Sequence, residues 1–164
     1  MKILAIDPGT TESGYCLMEG YKPVKFGKIK NTELLKGIIR GHDFDAENVI
    51  IEMMVNYGNN VGKDMYETCI WIGRFWQAAE TEMESPVSLI KRGEEKMNLC
   101  HTAVAKDSNV RQALIDRFAR SSRNYGKGTK DNPDWFYGFS ADVWMAYAVG
   151  VTWLDKQQEE ILNR

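Results

Sequence analysis

Three carboxylates stand apart from the other acids of this sequence. Asp7 closes the apolar run KILAID and is followed at once by Pro8 and Gly9. Glu52 interrupts a second apolar run, NVIIEMM, at 48 to 54, and Asp142 is the only acid ahead of the uncharged stretch VWMAYAVGVTWL at 143 to 154. An unpaired carboxylate beside a core costs several kcal/mol, so each needs a cationic partner, a set of hydrogen bonds or a metal. Singly, each has an ordinary explanation: Asp7 as a turn former, Glu52 as the answer to a buried arginine, Asp142 as a first-turn acid favoured by the helix dipole. Together they are hard oxygen ligands on rigid elements, converging from distant parts of the chain, which is what a divalent cation needs. Magnesium takes few protein carboxylates and keeps its other positions for water and phosphate oxygens, so phosphate chemistry is the expectation.

A second constellation is basic. Arg111, Arg117, Arg120, Arg123, Lys127 and Lys130 face only one acid, Asp116, in a stretch that turns rich in Gly and Ser after Ala119. The chain as a whole has a net charge of -2, which excludes a uniformly basic nucleic-acid grip. The local patch is either a solvated loop or a set of phosphate contacts giving salt-sensitive, sequence-independent binding. In MVNYGNN, Tyr57 either stacks on an exposed base or packs in the core. DWFYGF, at 134 to 139, reads as a packed aromatic cluster, and His42 and His101 lack nearby ligand partners for a metal.

The elements that must position these groups alternate along the chain. Strands are expected at 2 to 7, 13 to 19 and 23 to 30, the third polar enough for an edge. A helix at 32 to 41, with Thr32 as a candidate cap, leads to a strand at 48 to 54 that should lie parallel to the first, placing Asp7 and Glu52 side by side. Residues 62 to 80 form the most strongly patterned helix, with Met65, Cys69, Ile72, Trp76 and Ala79 on one side. Trp71 and Phe75 fall on the polar side, as part of a wide core face or as an apolar patch for a partner subunit. Residues 87 to 100 begin as a strand and become polar. A helix follows at 108 to 118 with Ser108 to cap it, then a mobile basic loop to about 133, and a final helix from 141, capped by Ser140, that must be covered nearly all round.

Bulk properties set the frame. The 164 residues suit one domain, 1–164, with 43% hydrophobic and 27% charged residues and no repeats. No stretch reaches the ~18 apolar residues of a membrane span, and no signal peptide is evident, so neither membrane association nor export is expected. Cys16, Cys69 and Cys100, an odd set without C-x-x-C spacing, suit reduced thiols in a cytoplasm.

The segments ILAIDPGTTESGY, VIIEMM, VSLIKRGEEKMNLCHTAVAKDSNVRQALIDRF and SADVWMAYAVG, in this order and spacing, resemble the RuvC-type Holliday-junction resolvases, and NYGNNVGKDMYETCIWIGRF is most similar to phage-encoded members. The resemblance runs from residue 2 to about 154. It implies an α/β, ribonuclease-H-like fold with a five-stranded mixed sheet flanked by helices on both faces. It further implies a homodimer in a bacterial or phage-infected cytoplasm that nicks opposed strands at a four-way DNA junction with Mg2+, with Mn2+ as a substitute, and two ions per site. Asp7, Glu52 and Asp142 match the family's metal-binding acids, Lys96 its active-site lysine, and Lys106 a second lysine at a helix entry. The family's fourth ligand, Asp or His three residues before the helix acid, is Phe139 here. Three acids suffice, or Asp134 or Asp131 substitutes, or one of two metal positions is weak. D-x-G-T also occurs in actin-like kinases and ATPases, but these need a second phosphate loop and roughly twice this length. A junction-binding protein with a disabled site, and a relative acting on other branched DNA or structured RNA, are the further alternatives.

Overall fold

The computed structural model describes residues 1–56, 58, 61–120 and 123–163. Its two most apolar strands, β1 (Lys2–Asp7) and β4 (Asn48–Met53), bury both faces and lie parallel and adjacent, as strands in a doubly covered sheet do. β2 (Glu12–Glu19) runs antiparallel to β1, β3 (Lys22–Lys30) antiparallel to β2, and β5 (Val87–Lys91) parallel to β4. The resulting mixed sheet has the order β3-β2-β1-β4-β5, with the polar β3 at an edge.

Strand alternation sorts the core into two layers. Leu4, Ile6, Val49 and Ile51 point toward α1 (Asn31–Arg40) and α2 (Lys63–Glu82). Ile3, Ala5, Cys16, Met18, Ile50 and Ile90 point toward α4 (Asp107–Phe118) and α5 (Ala141–Leu162), with α3 (Arg92–Cys100) at the margin. Residues 143 to 154 of α5 are wholly buried. Gly150 lets the helix approach the sheet, since a side chain there would collide with the Met18 sulfur and come within 3.1 Å of Ala5 Cβ.

Several local expectations change. The polar half of 87 to 100 is a helix, α3. Lys30, not Thr32, precedes α1, and the Asn31 side chain instead ties the turn after β1 together, accepting from Ser13 Oγ at 2.6 Å and donating to the Gly9 carbonyl at 2.8 Å. At α4, Asn109 Oδ1 rather than Ser108 accepts a helix-start N–H, that of Lys106, at 2.9 Å. Ser140 occupies the position before α5 without a side-chain cap bond. The basic loop is held by hydrogen bonds: Asp134 N–H donates to the Lys127 carbonyl at 3.0 Å and Phe136 N–H to that of Gly126 at 3.1 Å.

The face of α2 also differs. Thr68, Ile72, Phe75, Ala78 and Ala79 are buried, Phe75 completely, so Phe75 belongs to the core and offers nothing to a partner. Trp71 is half-buried, 5.7 Å from the Phe75 ring and covered by Arg74. The exposed apolar residues of α2 are Tyr66, Ile70 and Trp76. The three cysteines are unpaired thiols, and none of the described helices is long and apolar enough to cross a membrane.

Candidate active site

The site forms along one transverse row of the sheet. Asp7 pairs with Gly14, Gly14 with Lys28, and the β1–β4 register, set by the pairing of Ile6 with Ile51, continues to Glu52 beside Asp7. Alternation aims all of these toward the α5 side. At Gly14 the missing side chain matters: a Cβ would lie 2.5 Å from the Asp142 carbonyl oxygen, so only glycine lets the first turn of α5 settle here. Asp142 is thereby brought over the row, between Lys28 and Asp7.

Asp7 and Glu52 are in hydrogen-bond contact. Burial first, then the Glu52 charge and hydrogen bond, raise the Asp7 carboxyl to about 8, against the pull of Arg92. Burial also raises Glu52, countered by Arg92 and by the bond from Asp7. Burial and mutual repulsion thus push both carboxyls up, as close like charges in a low-dielectric site do. Asp142 takes another partner: its Oδ2 lies 2.8 Å from Lys28 Nζ, and Glu12 is 3.8 Å from the same ammonium. A polar cavity of about 360 Å³ opens over this group, lined by Asp7, Gly14, Lys28, Asp142 and the turn at 8–12.

Three residues here escaped the sequence reading. Lys28 is one. Arg92, at the start of α3, reaches Glu52 at 3.4 Å, Glu95 at 3.1 Å and Asp107 at 2.6 Å. Glu95 is completely buried, its carboxyl pushed well up by burial and by the Glu52 charge, and its Oε1 has no hydrogen-bond partner. The available signal was the charged cluster RGEEK directly after the apolar VSLI, the same strand-end pattern that marks Asp7.

The remaining sequence candidates divide. Lys96 is half-buried and close enough to Glu52 to lower its proton affinity, and Lys106 is exposed at the start of α4. A groove of about 590 Å³, lined by Arg92, Lys96, Met97 and Ala103 among others, runs beside them. Arg117 is engaged by Asp155, with both guanidinium nitrogens on its carboxylate at 2.7 Å. Arg111 lies against Trp144, while Arg120, Arg123 and Lys130 are exposed and Lys127 half-buried. Tyr57 lies outside the described residues. Phe139 is core, 4.6 Å from Phe26 and 5.1 Å from Phe136. Asp134 does not replace the missing ligand, because its Oδ1 accepts from Arg120 and Trp135 N–H; Asp131 is exposed in the loop.

As a cation site, the Asp7–Glu52 pair fits: two hard oxygen donors on adjacent strands, whose mutual repulsion a divalent ion would relieve. Asp142 fits less well, being already paired. Among the described residues, no three acids, histidines or cysteines stand close enough to hold one ion.

Comparison with solved structures decides the fold. Thermus thermophilus RuvC superposes with a TM-score of 0.66 at 20% identity over 97% of both chains. The chain has the RuvC-type resolvase fold. T. thermophilus RuvC in complex with a Holliday junction substrate gives a TM-score of 0.65 at 20% identity over 96% of each chain. The yeast mitochondrial Holliday junction resolvase gives 0.59 at 12% identity over 96% of this chain and 80% of its own. No protein-family model matches the sequence, and no curated protein does. In RuvC-type terms, the Asp7–Glu52 pair occupies the carboxyl ends of adjacent parallel strands, where ligands of open α/β sheets bind.

Proposed function

We propose that the protein is a divalent-cation-dependent endonuclease that resolves four-way and other branched DNA junctions by paired nicks. The observation that carries this reading is the convergence of Asp7 and Glu52, at the ends of adjacent parallel strands, with Asp142 beside them at the open end of a RuvC-type sheet. Asp7 and Glu52 would hold the cation, Mg2+ with Mn2+ as a substitute, and Asp142 bounds the cavity that Asp7 lines. When bound, the ion supplies Lewis-acid polarisation of the scissile phosphate. The chain's own groups do the rest. Arg92, anchored by Glu95 and Asp107, fixes the Glu52 carboxylate. Lys96 offsets charge that develops on the phosphoryl oxygens. The oxygen of a water attacks phosphorus in line, the P–O3′ bond breaks, and a 5′-phosphate and a 3′-hydroxyl result.

Lys106, Arg111, Arg120, Arg123, Lys127 and Lys130 supply phosphate contacts that position the DNA without reading its bases. Two such sites, one per strand, require a homodimer, for which the exposed Tyr66, Ile70 and Trp76 face of α2 is the candidate surface. Phe139, buried where the family carries a ligand, favours one second reading, a protein that binds junctions without cutting them.

The test compares a four-way junction with a linear duplex of the same sequence, with and without Mg2+. Paired, junction-selective, Mg2+-dependent nicks are expected, and Asp7→Asn should lower them by ~10³-fold or more while junction binding persists. Binding without nicks in Mg2+ or Mn2+ establishes the second reading instead.

A further inference from the structure

We propose that the groove between α3 and the turn at 101–106 receives one unstacked nucleobase of the junction DNA, and that Met97 and Ala103 make nicking depend on which base it is. The inference rests on the nuclease reading above and deepens it, from a site that holds phosphates to one that also reads a base.

The first support is the shape and lining of the groove. α3 ends at Cys100, and His101, in the left-handed conformation at φ 56°, reverses the chain while donating its N–H to the Met97 carbonyl. The turn then returns toward the start of α3, where Asp107 meets Arg92 at 2.6 Å. About 590 Å³ is left open between the two, with mainly apolar walls that include Met97 of the helix and Ala103 of the turn. That volume is in the range of clefts that take small organic ligands. Met97 is 51% exposed, and its polarisable thioether packs well against the face of an aromatic ring.

The second support is charge, and it selects the occupant. The acid of the groove, Glu94, is already taken, by Lys156 and by the Lys91 N–H. Arg92 is held by Glu52, Glu95 and Asp107. Lys91 and Lys96 form no ion pair among the described residues, so the groove offers a ligand apolar walls under two uncompensated ammonium groups. An apolar peptide would leave those cations without a counter-charge, and a simple anion would leave the walls wet. A nucleotide satisfies both, with its base against Met97 and Ala103 and its phosphates at the lysines.

The third support is continuity. Arg92 lines the groove and also reaches Glu52 at 3.4 Å, so the groove and a carboxylate proposed to hold the cation share a wall. A phosphate in the nuclease site therefore leaves a neighbouring nucleotide beside the groove. Its base must unstack to enter, which costs least at a branch point, where pairing is already interrupted.

The experiment places 2-aminopurine, whose fluorescence rises on unstacking, at successive positions around the branch point of a four-way junction. The full chain is added without divalent ions, so the strands stay intact. A rise confined to one position is expected, and Ala103→Phe, a filled groove at an exposed turn residue, should abolish it. In Mg2+, junctions differing only in that base should be nicked at rates ~10-fold or more apart by the wild type, and at nearly equal rates by Ala103→Phe with junction affinity unchanged. Ala103→Ser, which leaves the groove open, should keep both the signal and the preference. No rise at any position, a preference that survives Ala103→Phe, or equal losses in Ala103→Ser and Ala103→Phe overturns the proposal. Fluorescence that behaves as expected without nicks in Mg2+ or Mn2+ removes the nuclease reading and leaves the base subsite standing; nicking blind to the base does the reverse.

Discussion

At the residue scale, the central feature is the raised Asp7 carboxyl in the pair proposed to hold a cation. In the unfolded chain Asp7 ionises near its ordinary 3.8, and in the folded metal-free chain it keeps its proton to about 8. Between these values the folded state binds the extra proton, so raising pH favours unfolding: the contribution is fully present below about 4 and lost as pH rises through about 8. A divalent cation removes this liability by replacing the proton. Melting curves should therefore show a larger gain in Tm from Mg2+ at pH 8 than at pH 6. Each tenfold change in proton affinity is worth about 1.4 kcal/mol, and 1 kcal/mol moves Tm by about 2–4 °C in a chain of this size. Asp7→Asn should flatten the pH slope and abolish the Mg2+ gain, and an equal gain at both pH values in the wild type would contradict the raised Asp7 carboxyl.

At the element scale, the start of α5 is positioned by an absence. Gly14→Ala puts a methyl group 2.5 Å from the Asp142 carbonyl oxygen and 2.9 Å from its carbon, both backbone atoms that cannot swing away. The helix end must lift, at a cost of ~1–3 kcal/mol. Denaturant melts should register that loss, and nicking should fall further than stability alone explains, because Asp142 leaves the site; unchanged nicking would show that its placement does not matter. The same elements show what could be read in advance. β1, β4 and the buried α5 were legible because long apolar runs leave few alternatives, and Asp7, Glu52 and Asp142 stood out as single charges in them. Lys28 and Glu95 were not, since KFGKIK and RGEEK look like solvated sequence until pairing with β2 sets Lys28 beside Asp142 and the packing of α3 buries Glu95. The burial of Phe75 was ambiguous for a related reason: periodicity gives a helix its faces, but the sheet and α1 decide which face turns inward.

At the scale of the whole molecule, the proposed function requires a chain of net charge -2 to hold DNA through a few well-placed cations. The basic stretch divides by partner. Arg117, bound at both nitrogens to Asp155, which also accepts from Tyr21 and Asn98, ties α4 to α5. Arg117→Ala should cost roughly 1–3 kcal/mol of stability and leave the salt dependence of junction binding intact. Lys130→Ala should do the reverse, reducing the slope of log K against log[salt] by about 1 with Tm unchanged. Binding measured at several salt concentrations separates the two, and a Lys130→Ala slope equal to wild type would remove that loop from the DNA surface.

The most direct measurement replaces one non-bridging oxygen of the scissile phosphate in a four-way junction with sulfur and compares nicking in Mg2+ and in thiophilic Mn2+. If the cation held by Asp7 and Glu52 touches that phosphate, nicking falls steeply in Mg2+ and returns in Mn2+ for one of the two sulfur stereoisomers. Equal rates in both ions for both stereoisomers would mean that no cation meets the phosphate there.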